Sequence, residues 1–153
     1  MKAARWIAPV LALVLAGCAT GPAVRLASAE SDAAAKQFVP AEGRANVYIA
    51  RSNDPAGGVA SFTLTIDGKT IGPIGPGTFY LVVVDPGKHS LTAAATLNSA
   101  KATLEVQAGK NYFYEITSTG SGLTAQPSLG IVLIEEMGKM MVRQDKRAEG
   151  SNE

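Results

Sequence analysis

His89 is the only histidine of the chain, and an imidazole can act as a general base or bind a metal ion. Asp85 precedes it closely enough to orient the ring. A zinc site normally needs three or four protein ligands, and no second histidine could contribute. No Gly-X-Ser-X-Gly segment offers a nucleophilic serine. We therefore predict a structural role for His89 at the start of a strand, with a hydrolase built around it as a remote alternative.

Three aspartates, Asp54, Asp67 and Asp85, occupy separate predicted turns. A calcium-binding loop instead collects its oxygen ligands within one short segment. An aspartate in a turn usually accepts hydrogen bonds from its own turn backbone. We expect no metal centre and no cofactor, and we predict that the protein is not an enzyme.

Tyr112 and Tyr114 share one face of a predicted strand, because side chains alternate along a strand with a period of two. If exposed, the pair would form an aromatic platform for a sugar or a protein partner. If buried, it would be part of the core, as tyrosines of half-buried strands usually are. Tyr112 and Tyr114 are therefore the candidate binding face.

Cys18 is the only cysteine, and it closes a short apolar N-terminal segment. Lys2 and Arg5 precede residues 6–15, which carry no charge. A bilayer-spanning helix needs about 20 apolar residues, so this run is too short to span and has the length of a signal-peptide core. We predict that residues 1–17 are a signal peptide.

The segment Leu15-Ala16-Gly17-Cys18 resembles the lipobox of bacterial lipoproteins at every position. That resemblance implies recognition through Leu15, Ala16 and Gly17, cleavage before Cys18, and acylation of the cysteine sulfur and amino group. Each buried methylene of an acyl chain contributes about 0.8 kcal/mol, so two or three chains would hold the protein on the membrane. An ordinary secretory signal is the alternative. Ala19, where the lipoprotein family commonly has aspartate for inner-membrane retention, implies the outer membrane.

The processed chain would be nearly neutral. Removing Lys2 and Arg5 from the 14 lysines and arginines leaves 12, against 13 aspartates and glutamates, a net charge near −1. With no basic excess to hold a phosphate backbone, we expect no nucleic-acid partner. A lipidated Cys18 leaves no thiol for a disulfide, so the core alone must stabilise the domain.

Short apolar runs separated by turn signals fill the chain after residue 37. Residues 62–66 alternate in polarity, and Asp67-Gly68 is a strong hairpin signal. Residues 79–84 are apolar on both faces, so we predict a central strand there. Asp85-Pro86-Gly87 predicts a second turn. The methionines after residue 135 fall at helical spacing and indicate a short C-terminal helix.

These signals predict an all-β fold, a single antiparallel β-sandwich of the immunoglobulin-like or transthyretin-like type with about seven to eight strands and a short C-terminal helix. A closed barrel is the alternative. The predicted order is a signal peptide at 1–17, the lipidated cysteine and a flexible tether at 18–37, the sandwich at 38–146 and a disordered tail at 147–153.

The chain resembles a family of bacterial lipoproteins grouped only as a domain of unknown function. The residues that carry the resemblance are Phe38, Pro40, Gly43-Arg44-Ala45, Val47-Tyr48, Arg51, Asp67-Gly68, Pro86-Gly87-Lys88-His89, Gly109-Lys110 and Tyr112-Phe113. The match extends over about residues 38–137. It implies a lipid-anchored β-sandwich of the cell envelope and no reaction, so it assigns no catalytic residue.

We therefore expect an outer-membrane lipoprotein, held by its N-terminal acyl chains, whose domain lies in the periplasm. Its predicted activity is non-enzymatic binding or scaffolding of another envelope protein, with an exposed sheet edge as the contact. The alternative is a module that binds glycan or peptidoglycan through Tyr112 and Tyr114.

Overall fold

The computed structural model describes residues 23–53 and 58–150, which form two packed β-sheets and two short helices. The elements are α1 (Ala29–Ala35), β1 (Ala45–Arg51), β2 (Phe62–Ile66), β3 (Lys69–Ile74), β4 (Thr78–Val84), β5 (Gly87–Ala94), β6 (Ser99–Val106), β7 (Asn111–Thr119), a 3₁₀ turn (Gly122–Thr124), β8 (Gln126–Ile131), α2 (Glu135–Gln144) and β9 (Lys146–Arg147). The predicted two-sheet, mostly β architecture is confirmed. The immunoglobulin-like or transthyretin-like type stays a prediction.

The five-stranded sheet has the order β8-β7-β1-β4-β9. Its central strand β1 is buried along its whole length, and it pairs antiparallel with β4 and parallel with β7. The β4–β9 pair is also parallel. The predicted purely antiparallel sandwich is thus wrong at two pairs. Polarity alternation reports which face of a strand is buried and carries no information on the direction of its neighbour.

The four-stranded sheet has the order β3-β2-β5-β6, and its three pairings are antiparallel. The Asp67-Gly68 hairpin is confirmed, since Ile66 and Lys69 face each other across it. Asp67 and Gly68 have φ angles of 50° and 78°, the left-handed pair that a type I′ turn requires. Glycine adopts that conformation freely and aspartate tolerates it, which explains the dipeptide.

The main core lies between the sheets. Its largest buried side chains include Phe62, Leu64, Ile74, Leu91 and Leu104 from the four-stranded sheet and Val47, Ile49, Tyr80, Tyr114 and Ile116 from the five-stranded sheet. Alternating residues of β2 point into it, as the sequence pattern predicts. The described domain is therefore stabilised without any disulfide, by apolar burial between the two sheets.

A second core lies on the other face of the five-stranded sheet, beneath α1 and α2. It contains Phe38, Tyr48, Phe79, Phe113 and Val142, with Tyr48 stacked on Phe113 at a ring-centroid distance of 5.1 Å. Both faces of this sheet are therefore buried.

Helix α2 approaches β7 at Gly138, where a Cβ atom would lie 2.3 Å from Cγ of Phe113. This close approach explains a glycine inside a helix, where it costs about 1 kcal/mol relative to alanine.

Residues before and after the predicted sandwich at 38–146 also pack onto the domain. Leu26 bridges Ala148, and Lys36 Nζ donates to the Asp145 carbonyl at 2.7 Å. In the predicted tether at 18–37, the described residues from Leu26 to Lys36 contact the domain, so the tether is shorter than predicted. The predicted tail at 147–153 is ordered as far as residue 150. An Ala-rich segment with no apolar periodicity gave no sign of this docking, since its partners, such as Asp145 and Arg147, lie more than 100 positions away in the chain.

Candidate functional site

One side of the sandwich is open between edge strand β3 and strand β4. Part of it is covered by residues 24–28 and 146–150, which pair antiparallel; Ala27 N donates to the Arg147 carbonyl at 3.0 Å. Beside this cover lies a cleft of ≈ 430 Å³, whose lining includes residues 69–71 of β3 and 80–84 of β4. The cleft thus lies between edge strand β3 of one sheet and strand β4 of the other.

His89 and Asp67 form a closely bonded pair at the mouth of the cleft. Nδ1 of His89 lies 2.6 Å from Oδ2 of Asp67, and Nε2 lies 2.8 Å from the carbonyl oxygen of Asp85. Both partners are acceptors, so both ring nitrogens must donate to satisfy them. The geometry therefore favours the imidazolium form of His89.

Asp67 reaches β5 because the type I′ turn directs its carboxylate across to that strand. Its Oδ1 accepts the Ser90 backbone N–H at 2.8 Å, and its own N–H donates to the Ser90 carbonyl at 2.9 Å. We predicted that Asp67 accepts hydrogen bonds from its own turn backbone. In the structure its backbone partner is Ser90 on β5. Sequence reasoning paired His89 with Asp85, and that contact exists only through the Asp85 carbonyl.

These hydrogen bonds change the pKa values of both groups in opposite directions. The Asp67 carboxylate, followed by the Asp85 carbonyl, raises the pKa of His89 above 6.5. The His89 and Ser90 donors lower the pKa of Asp67 below 3.8. Both shifts therefore widen the pH range over which the two groups are charged together.

Arg44 lies on the opposite wall of the cleft mouth. Its Nη2 donates to the Val83 carbonyl at 3.0 Å, and its Nε lies 3.1 Å from Oδ1 of Asp85. Lys69 and Arg147 also line the cleft. The lining of the cleft therefore combines four cationic groups, counting the imidazolium, with two carboxylates.

Strand β4 presents unpaired backbone groups to this cleft. The parallel partner β9 extends only along Thr78 and Phe79, where the Phe79 carbonyl accepts the Ala148 N–H at 2.8 Å. Backbone groups alternate in direction along a strand, so those of Leu81 and Val83 point to the same side as those of Phe79. Among the described residues no strand continues β9 beside them, and only the Val83 carbonyl is used, by Arg44.

The prediction that residues 79–84 form a central strand is therefore wrong in one respect. Both faces of β4 are covered, by the main core and by the helix-side core, and this burial explains its apolar sequence. Its lateral edge is nevertheless open beyond Phe79. An apolar sequence indicates that both faces of a strand are buried, but it does not indicate whether the strand is hydrogen-bonded on both edges. Sequence reasoning missed the open edge of β4 for this reason.

Tyr80 fixes the far wall of the cleft. Its hydroxyl lies 3.0 Å from the Pro73 carbonyl and 3.3 Å from the Glu149 carbonyl. A Cβ at Gly72 would lie 2.4 Å from the same hydroxyl oxygen, so only glycine leaves room for it. The glycine-rich run before β4 therefore allows a tyrosine of one sheet to bind the edge strand of the other.

Tyr112 and Tyr114 do not form an exposed platform. Tyr114 is 5% exposed and belongs to the main core, and Tyr112 is half-buried with its hydroxyl accepting the Gln107 N–H at 2.9 Å. Strand β7 lies inside the five-stranded sheet, so its residues on this face pack against the other sheet. The sequence left this pair open between an exposed platform and core packing, and its position in the structure agrees with core packing.

The remaining predicted site residues, Leu15, Ala16, Gly17 and Cys18, and also Asp54, lie outside the described residues. Within the described residues no three His, Cys, Asp or Glu side chains are placed to hold a metal ion. In the same part of the chain, none of the helices has the length and apolarity to cross a bilayer.

Residues 41–126 match the family model described as "Protein of unknown function (DUF2846)", and the chain belongs to this family. The match runs from just before β1 to the start of β8 and so includes Arg44, Asp67, β4 and His89. No curated protein and no solved structure matches the chain. The resemblance to a family of unknown function is thereby confirmed.

Proposed function

We propose that this protein is a lipid-anchored cell-envelope module that binds an extended segment of another envelope protein in the cleft between β3 and β4. The observation that carries the proposal is the open edge of β4 at Leu81 and Val83, beside a cleft of ≈ 430 Å³. Backbone donors and acceptors at a strand edge bind an added strand through regular hydrogen bonds. The added strand would continue the path of β9.

The cleft has the shape and chemistry for such a segment. A strand added to β4 would have two faces. One face would lie toward Ile71 of β3, and the other would lie on the side of the sheet that carries the Leu81 side chain. Apolar walls bind alternate side chains, while the edge binds the backbone. The hydrogen bonds of His89 favour binding over hydrolysis, since acceptors hold both ring nitrogens and leave neither to activate a nucleophile.

Charge at the cleft mouth favours an acidic partner segment or a chain terminus bearing a carboxylate. Arg44 and Lys69 flank the opening, and Arg147 lies further in. Asp67 is already neutralised by His89, and Asp85 by Arg44. Lys69 adds positive charge beside these two ion pairs, and this charge would attract a negative group to the mouth.

The outer-membrane location and acylation at Cys18 are part of this proposal. They are supported by the Leu15-Ala16-Gly17-Cys18 segment after a short apolar run. The glycan-binding alternative loses its main support, because Tyr114 is buried in the core. We therefore favour a protein partner over peptidoglycan.

Photo-cross-linking in living cells tests the cleft. A photoreactive amino acid replaces Val83 or Lys69 in the full chain, and the matched control replaces Lys101 on β6, an exposed position on another edge strand. We expect one adduct from both cleft positions and none from Lys101. Mass spectrometry should place the cross-link in an extended, acidic segment of an envelope protein.

Two results would contradict the proposal. Adducts of equal yield from Val83 and Lys101 would indicate non-specific contact over the whole surface. Adducts with a folded surface of the partner would contradict strand addition. Adducts with peptidoglycan fragments would contradict a protein partner.

A further inference from the structure

Four connections meet at one end of the sandwich, which we call the loop end. They are residues 58–61 before β2, 75–77 between β3 and β4, 95–98 between β5 and β6, and 120–125 between β7 and β8. They share this end because β7 runs parallel to β1, β4 runs antiparallel to it, and a two-residue turn joins β4 to β5. Asn98 Nδ2 donates to the Ala125 carbonyl and so joins two of them, and a Cβ on Gly58 would lie 3.7 Å from the Gly120 carbonyl oxygen.

Three of these connections expose a large aliphatic side chain. Val59 is 70% exposed, Leu97 is 70% exposed and Leu123 is 65% exposed. Isolated apolar side chains on a surface are ordinary, but three at the tips of neighbouring loops on one end form a patch. The patch needs an apolar or interfacial partner.

The loop end also differs from the opposite end in charge. None of the described residues of the four connections is charged. The opposite end carries Glu42, Arg44, Asp67, Asp85 and Lys110 in its connections. The described part of the loop end therefore has a lower desolvation cost than the charged end when it approaches the headgroup and acyl boundary of a bilayer.

The path of the N-terminal segment brings the anchor to this end. Cγ2 of Val24 lies 3.1 Å from the position of a Cβ on Gly75, so the described chain begins beside a loop-end connection. The five residues from Cys18 to position 23 span at most about 18 Å. Strand β7, with 9 residues, extends about 30 Å. Acyl chains on Cys18 would therefore lie closer to the loop end than to the charged end.

We infer that the loop end rests on the lipid surface, with Val59, Leu97 and Leu123 in contact with the bilayer interface. This inference rests on the proposed acylation of Cys18. The three loop tips and the acyl chains then form one membrane-binding face. The charged mouth of the cleft, near Asp67 and His89, points away from the bilayer and is open to a partner.

A second exposed apolar patch offers the rival orientation. Leu133, Ile134, Met137 and Met140 are exposed at and before α2. Glu135, Glu136 and Lys139 lie among them, joined by salt bridges. Charged side chains within the patch make it the weaker candidate for lipid, and Leu133 is a suitable control position.

Single-tryptophan quenching in vesicles tests the orientation. Trp6 is the only tryptophan and lies in the predicted signal peptide, so the processed chain has none. The variants L97W, L123W and L133W, each at an exposed position, are purified from membranes as processed chains and placed in phosphatidylcholine vesicles with or without brominated acyl chains. The mass of the N-terminal peptide reports acylation independently.

We expect an acylated chain in which brominated lipid strongly quenches the tryptophan fluorescence of L97W and L123W and leaves that of L133W unchanged. An acylated chain without quenching in L97W and L123W, or with quenching in L133W alone, overturns the inference and leaves the anchor intact. A chain without acyl groups overturns both the proposed anchor and the orientation.

Discussion

At the scale of single residues, the Asp67–His89 pair is the clearest chemical feature of the cleft. The left-handed conformation of Asp67 aims its carboxylate at β5, and the 2.6 Å contact orders the imidazole. The pair serves to shape the cleft mouth and to neutralise one of its carboxylates. No reaction is required to explain its arrangement.

The His89 titration tests this pair directly. Because His89 is the only histidine, its ring gives a single set of NMR resonances. We expect a pKa above 6.5 in the wild-type domain, since Asp67 and the Asp85 carbonyl stabilise the cation. In D67N, which tolerates the same left-handed backbone, the pKa should fall toward 6.5. A wild-type pKa at or below 6.5 would contradict the structure.

The pair also determines a pH window of stability. The pKa of His89 is raised in the folded protein. Its contribution to the free energy of unfolding is therefore complete below pH 6.5 and is lost as the pH rises through the pKa of the folded protein. The pKa of Asp67 is lowered in the folded protein. Its contribution to the free energy of unfolding is therefore present above pH 3.8 and is lost as the pH falls through the pKa of the folded protein. Asp67 is 45% exposed, so we expect a difference of about 1 kcal/mol or less between wild type and D67N.

Asp145 is a second titrating residue, with the opposite effect on stability. It is 3% exposed, its Oδ2 has no hydrogen-bond partner among the described residues, and burial raises its pKa to about 7. Ionisation above this value therefore opposes folding. We expect D145N to be more stable than wild type at pH 8 by roughly a few kcal/mol, and similar at pH 4. Urea unfolding at both pH values measures the difference, and equal pH slopes for the two proteins would contradict it.

At the scale of elements, the contact between α2 and β7 depends on one glycine. The missing side chain of Gly138 lets the helix lie against the ring of Phe113. We expect G138A to lower the free energy of unfolding by about 1–3 kcal/mol, because the added methyl group overfills this contact.

The matched control for this prediction is G130A on β8. Apart from its chain neighbours, no described residue lies within 4 Å of a Cβ at Gly130, and its backbone is outside the left-handed region. Thermal unfolding should therefore show a loss for G138A and little change for G130A. Equal effects of the two substitutions would show that helix or strand propensity, and not the contact with Phe113, decides the result.

Some elements could be predicted from the sequence for a physical reason. The period of two in β2 and the Asp67-Gly68 turn report local geometry, and both appear as predicted. β9 could not be found, since it has two residues and its strand conformation depends on its pairing with β4. The parallel β1–β7 pair was equally hidden, because its partners are separated by five other strands in the chain.

The candidate site was harder to predict than the fold. His89 and Asp67 each occur beside a turn signal, but their contact joins residues 22 positions apart through the β2–β5 pairing. Arg44 and the open edge of β4 gave no sequence signal. For the aromatic pair on β7 the sequence left exposure and burial open, because the same strand pattern occurs in a core and on a surface.

At the scale of the whole molecule, the sandwich has two unlike ends and one open side. In the orientation we infer, the proposed anchor and the loop end would lie together, whereas the charged end carries the cleft mouth. This arrangement would hold the cleft away from the bilayer by the length of the sandwich. An anchored protein of this kind can present a binding edge to a partner within the periplasm.

Acylation of Cys18 is the requirement for this arrangement. We expect a palmitate analogue to label the wild-type protein in cells and to leave C18S unlabelled, because the cysteine sulfur is the proposed acceptor. C18S should also accumulate as the uncleaved precursor. Labelling of C18S at the wild-type level would contradict the proposed anchor, whatever the outcome at the cleft.

The most direct test of the central claim is the effect of V83P on photo-cross-linking from Lys69. Proline at this position removes a backbone N–H that points toward the cleft, and proline is tolerated on open strand edges. Strand addition to β4 predicts that V83P folds normally and loses the adduct formed from Lys69. A full yield of adduct in folded V83P would contradict strand addition and show that the cleft recognises its partner without the edge of β4.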